Sequence, residues 1–283
     1  MTNDWRISAL FLVLLLRPFM GWAQSDFNSR DNLGLKTSFF QGHQRVVNNG
    51  GDYPYSTVGE IFEQTGEKAQ RCSGTLVGRY FALTACHCVF LESGNVPKRV
   101  YFFPRTKEEG FGAPVPVVAA FGKHGCLGNY PQDFALAVLS KPLGDRYGYL
   151  KISALPQQAA ISSDYHGRLV SVGFPGDSNE NRIVDPACSL KSLENGYYLT
   201  DCSTEPGDSG GPILIPEDGG RYSIIAIKVA VKTPETHGGK YSEKNANMAT
   251  ALSGDAGVIE QFIQDHDNSR ALSDLISNGN SGN

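Results

Sequence analysis

Ser209 lies in Gly207-Asp208-Ser209-Gly210-Gly211-Pro212, a hydroxyl set among glycines directly after a carboxylate. A serine hydroxyl is a weak nucleophile and needs a neighbouring base to take its proton. The sequence has six histidines, and one of them, His87, closes an apolar run in Leu83-Thr84-Ala85-Cys86-His87-Cys88. An imidazole used as a base is oriented in turn by a carboxylate. Asp133 opens Phe134-Ala135-Leu136-Ala137-Val138-Leu139, a run patterned like a buried strand. A set of this kind performs acyl transfer. The serine attacks a carbonyl, the histidine carries the proton, and backbone amides stabilise the oxyanion. Glycines at 207, 210 and 211 let the chain turn tightly enough to aim such amides at one point. His43, His124, His166, His237 and His266 are read as ordinary surface or core residues.

The elements around these residues read as strands. Short apolar runs recur at 74–77, 100–103, 115–121, 135–139, 169–174, 212–215 and 224–231, with Gly, Pro, Asn and Asp between them. That pattern predicts an all-β barrel or sandwich. Near the end, Val258, Ile259, Phe262 and Ile263 fall on one helical stripe, so a helix is predicted there, starting at Gly254 or Asp255. The tail, 277–283, is rich in Asn, Gly and Ser and is expected to be disordered.

Arg6 followed by the apolar run Ile7 to Leu16 and by Gly21-Trp22-Ala23 reads as a signal peptide, residues 1–23. The other reading of that segment is an uncleaved anchor. Residues 24–45 are polar and aperiodic, a pro-segment or flexible arm. An exported chain with six cysteines favours disulfides, and a secreted or periplasmic location follows. The formal net charge of −4 gives no reason to expect nucleic acid or an anionic membrane as a partner.

The order His87, Asp133, Ser209 and their local contexts resemble the chymotrypsin/trypsin-like serine peptidases. The resemblance covers about 46 to 265 and implies two six-stranded antiparallel β-barrels with a C-terminal helix, spanning 46–276 and dividing at about 150–165. The active site would lie in the cleft between them. It makes His87 the general base and then acid, Asp133 its orienting group and Ser209 the acyl-forming nucleophile, with the amides of Gly207 and Ser209 as the oxyanion hole. No metal or cofactor is required. Cys86 stands where the family has alanine. Cys72 and Cys88 match the pair that ties down the histidine loop in the family. Cys188 and Cys202 bracket an apparent hairpin, and Cys86 with Cys126 is the remaining pair. A zinc reading of Cys86-His87-Cys88 is the weaker one, since the spacing is not that of a structural site.

Arg45-Val46 resembles the activation junction of trypsin-like zymogens, where cleavage frees an α-amino group that pairs with the aspartate before the serine, here Asp208. The family usually continues Ile-Val-Gly-Gly; this chain has Val46-Val47-Asn48-Asn49. Phe174-Pro175-Gly176-Asp177 and Thr200-Asp201 are similar to segments of bacterial trypsin-like and glutamyl endopeptidase-like members. Ser203, six residues before the nucleophile, occupies the place where trypsins carry aspartate, so cleavage after Lys or Arg is not implied. Thr204 and Lys228 are the other pocket candidates. Lys228 either binds an acidic substrate side chain or points to solvent from its strand. The reading is a monomeric serine endopeptidase acting on proteins or peptides. The rivals are a non-catalytic binding or adhesion protein on the same fold, and an esterase, whose α/β pattern the short strands contradict.

Overall fold

The computed structural model describes residues 40, 42–106, 110–232 and 240–280. The signal segment and most of the 24–45 arm lie outside the described residues. No helix among the described residues is long and apolar enough to cross a membrane.

Six strands close into an antiparallel barrel, in the order Val58–Thr65, Lys68–Leu76, Phe81–Thr84, Ala135–Leu139, Val115–Gly122 and Arg99–Phe103. The two strands that lead to and from the catalytic candidates are almost wholly apolar, and every residue of Phe81–Thr84 and Ala135–Leu139 is buried. At the barrel's edge the pattern alternates instead: Val100 and Phe102 point inward while Arg99 is exposed, the two-residue period of a half-buried strand. Between Cys72 and Cys88 lie the end of one strand and all of the next, joined at Val77–Tyr80.

The second half differs from the expected second closed barrel. Its ladder runs Val46–Val47, Ile183–Cys188, Leu169–Gly173, Pro212–Glu217, Arg221–Val231, Asn247–Ala251, Tyr197–Thr200, Leu190–Glu194, with Lys151–Ile152 added in parallel to Arg221–Val231. The ladder is left open between its end strands, Val46–Val47 and Leu190–Glu194. The sheet rolls around its own apolar cluster, which includes Leu169, Tyr198, Ile213, Ile225 and Ala249. The hairpin between Cys188 and Cys202 turns at Asn195-Gly196, both with positive φ, the residues a tight two-residue turn selects.

Two helices end the chain, not one. Ala256–His266 buries Ala256, Ile259 and Ile263. The expected stripe is therefore rotated, and Val258 is 72% exposed. A further helix, Arg270–Asn280, buries Leu272 and packs against Val115–Gly122. It enters the stretch expected to be disordered because Leu272, Leu275 and Ile276 continue a helical apolar stripe.

Candidate active site

His87 sits in the single 3₁₀ turn Cys86–Cys88, straight after the buried strand Phe81–Thr84. Both neighbours of the histidine are fixed covalently, Cys88 to Cys72 and Cys86 to Cys126. The second bridge joins the histidine turn to the loop that leads to Asp133. Cys188 and Cys202 form the third bridge. The sulfur atoms beside His87 are thus held in disulfides and offer no thiolate to a metal.

Asp133 lies at the mouth of Ala135–Leu139 and is 2% exposed. One of its oxygens, Oδ2, lies 2.7 Å from His87 Nδ1, and the other accepts the His87 backbone N–H at 3.1 Å. A single buried carboxylate therefore holds both the ring and the backbone of the histidine. That contact assigns the proton to Nδ1 and leaves Nε2 to act as a base. Gln70 Nε2 donates to the His87 carbonyl at 3.3 Å. Thr250, from the second sheet, donates to the Tyr130 carbonyl at 2.6 Å, tying the Asp133 loop across the two halves.

Ser209 is half-buried in a loop that crosses back to the first barrel. Its carbonyl accepts the Ser73 N–H at 2.7 Å. A Cβ at Gly210 would stand 2.2 Å from Thr84 Oγ1 and 2.3 Å from the Ser73 carbonyl. Only glycine lets the serine loop approach the end of the histidine strand this closely. The loop's peptide planes are fixed one by one. Gly176 N–H donates to the Pro206 carbonyl at 2.8 Å, and Gly211 N–H donates to the Asp208 carbonyl at 2.8 Å. In a trans peptide the N–H points opposite the carbonyl, so the Gly207 and Ser209 N–H groups point away from those contacts. The Gly207 carbonyl accepts the Ser73 hydroxyl at 2.9 Å, and the same hydroxyl accepts the Phe174 N–H at 2.8 Å.

Behind the loop lies a group of buried charges. Asp208 Oδ2 accepts the Glu205 N–H at 3.0 Å. Asp208 Oδ1 is 3.0 Å from Lys228 Nζ, and both side chains are at most 3% exposed. Burial lowers the Lys228 pKa, against the pull of Asp208. Lys228 therefore points neither to solvent nor away from the loop, and its ammonium is engaged by Asp208. Ser203 and Thr204 are buried. The Ser203 N–H donates to Asp185 Oδ2 at 2.9 Å, the Thr204 hydroxyl donates to the Cys202 carbonyl at 3.3 Å, and the Ser203 hydroxyl is buried without a partner.

The junction residues are also placed. Arg45 Nη1 donates to Asp177 Oδ2 and to Glu205 Oε1, each at 2.7 Å. Burial, with Asp177 and Asp208 nearby, pushes the Glu205 carboxyl up to about 9, whereas Arg45 outweighs burial at Asp177 and lowers it. Val46 and Val47 pair with Val184 and Ile183 and remain exposed. Asn49 bonds to Asn181 and to the Arg182 N–H, and buried Arg182 donates to the Asn48 carbonyl at 2.8 Å. Just upstream, His43 Nδ1 lies 3.1 Å from Asp185 Oδ2 and its Nε2 3.6 Å from Asp201 Oδ2.

Sequence reasoning did not find Ser73, Arg182 or Glu205. Each acts through a partner more than a hundred residues away or through a loop contact, which local spacing does not encode. His43 was read as bland, and a lone histidine in a polar arm carries no signal of its two distant carboxylates.

Residues 72–221 match the trypsin-like peptidase domain. Serine protease 23 of Homo sapiens is 27% identical over 190 residues, covering 58% of this chain and 46% of that protein. The Mus musculus protein is 25% identical over 207 residues, covering 62% and 50%. The chain thus spans about half the length of the curated relatives it matches. Among solved structures, a Glu endopeptidase in complex with MPD superposes with a TM-score of 0.57 at 18% identity, covering 80% of this chain and 99% of that one. The protease Anisep from Arthrobacter nicotinovorans gives 0.55 at 18%, covering 76% and 100%. At that identity the structures show likeness of fold. The chain belongs to the trypsin-like peptidase family of chymotrypsin/trypsin-like serine peptidases.

Proposed function

We propose that this protein is a secreted serine endopeptidase that cleaves peptide bonds through an acyl-enzyme. The observation that carries the reading is Asp133 gripping His87 twice, at Nδ1 and at the backbone N–H, while the serine loop presses against the end of the histidine strand. His87 Nε2 takes the Ser209 proton as Oγ attacks the carbonyl carbon. The resulting oxyanion accepts the Gly207 and Ser209 N–H groups. The imidazolium, stabilised by Asp133, returns the proton to the leaving amine, and water then repeats the sequence on the acyl-enzyme. Each oxyanion donor contributes about 3–4 kcal/mol to barrier lowering in enzymes of this chemistry.

Primary specificity is set around Ser203 and Thr204. With the Lys228 charge engaged by Asp208, any preference for acidic residues has to come from other groups. The test is cleavage-site profiling on a diverse peptide library with a Ser209→Ala control. Cleavage that disappears in the control supports the reading, and the residue before the scissile bond reports the pocket. Equal cleavage by the control, or none by either protein, contradicts it and favours a binding protein on this fold.

A further inference from the structure

Lys228 is a lone charge in Ile224-Ile225-Ala226-Ile227-Lys228-Val229-Ala230-Val231, and it is 1% exposed. The oxygen it faces, Asp208 Oδ1, is buried and has no other hydrogen-bond partner among the described residues. Its compensation is the ammonium 3.0 Å away. A carboxylate at that depth is strongly disfavoured unless a cation stands beside it. The loop conformation that buries Asp208 therefore requires a positive charge at this position.

The pair sits in a fitted nest. A Cβ at Gly173 would stand 2.1 Å from Asp208 Oδ1, 3.0 Å from Lys228 Nζ and 3.1 Å from Ser73 Oγ, and a Cβ at Gly211 would stand 2.9 Å from Lys228 Cε. The backbone of Lys228 is bound to the same loop. Its carbonyl accepts the Gly210 N–H at 2.8 Å, and its N–H donates to the Gly211 carbonyl at 2.9 Å. Lys228 thus holds the Ser209 loop from two sides, by backbone and by charge.

Sequence resemblance pointed to the freed α-amino group of Val46 as the partner of Asp208. Instead Arg45 is bound to Asp177 and Glu205, Val46 pairs with Val184, and Asn48 and Asn49 are fastened to Arg182 and Asn181. We propose that Lys228 is a positioning residue that supplies, from within the uncut chain, the cation that holds Asp208 and the Gly207–Gly211 loop in working shape. Cleavage after Arg45 is then not required for activity. This rests on the serine-peptidase reading above and adds its mode of activation.

The experiment is reaction of the full chain, intact at Arg45, with a fluorophosphonate probe, read by intact mass spectrometry. The adduct forms on Ser209 of the chain still joined through Arg45–Val46, at a rate within about threefold of a sample cut at that bond. Lys228→Met slows labelling by roughly 100-fold or more. Lys228→Met with Asp208→Asn, which removes both charges, regains roughly tenfold or more of that loss. A merely space-filling lysine would give no such rescue. If Lys228→Met does not fold, the double variant and the intact-mass result decide. An adduct confined to chains beginning at Val46, or wild-type labelling by Lys228→Met, overturns the proposal. Absence of adduct on both cut and uncut protein overturns the peptidase reading and the proposal with it.

Discussion

The two halves of the site are held by different forces. His87 and Asp133 hang from the ends of wholly buried strands in a closed barrel, with disulfides on both sides of the histidine. Ser209 rides on a loop with no strand of its own, backed by Asp208, Lys228, Glu205, Arg45 and Asp177. Apolar packing and covalent links are insensitive to charge. Buried ions hold a loop only while every partner is present, because loss of one leaves the other uncompensated. In the first half, activity can be removed without touching the fold. In the second, the same residues serve both.

Substitutions that act on one half at a time sharpen this contrast. Asp133→Asn should give the largest loss of activity, with kcat falling on the order of 10⁴-fold through the wrong histidine tautomer. The melting temperature should stay within a few degrees, since the amide still fills the buried site. A circular-dichroism melt beside steady-state kinetics checks both. Gly173→Ala should break the serine half in both respects. Its methyl would land 2.1 Å from the Asp208 carboxylate, and overpacking of this kind costs about 1–3 kcal/mol. Urea unfolding should show that loss together with reduced activity; a stable but inactive protein would mean the nest is not part of the fold's support. Ser73→Ala removes the hydroxyl that bonds the Gly207 carbonyl and the Phe174 N–H. The cost should be about 1–2 kcal/mol, with a fall in kcat and little change in KM.

A separate effect, on stability alone, concerns the arm before Val46 and its dependence on pH. The hydrogen bond to Asp185, with Asp201 beside it, raises the His43 pKa to about 9, above the ordinary value near 6.5. The folded chain binds that proton more tightly, so the stabilisation is complete below about pH 6.5 and is lost as pH rises through about 9. The melting-temperature gap between wild type and His43→Ala should therefore be widest near pH 6 and close by about pH 10. A gap that grows with pH would contradict the ion pairs drawn here.

The histidine half was the more legible in the sequence. Leu83-Thr84-Ala85-Cys86-His87-Cys88 and Asp133 before Phe134–Leu139 are contiguous, and strand ends display what they carry. The short apolar runs predicted an all-β barrel or sandwich, and the six-stranded barrel was implied by the family resemblance. The serine half was legible only as a motif. Lys228 stood out as a charge inside an apolar strand, yet nothing nearby in sequence shows that it faces Asp208, twenty residues earlier across a bend. The open second sheet, which ends on Val46–Val47 and Leu190–Glu194, is a matter of strand pairing that composition does not carry. The rotated helix stripe has a simpler cause. Val258 and Ala256 are both apolar, and the smaller residue faces the barrel.

The most direct test of the difference between the halves is amide hydrogen exchange on wild type and Lys228→Met. Exchange should rise at Gly207–Gly211 and at 173–176, and stay unchanged across Phe81–Val89 and Asp133–Leu139. Exchange that rises equally in both halves, or in neither, would contradict a serine loop held by buried charge.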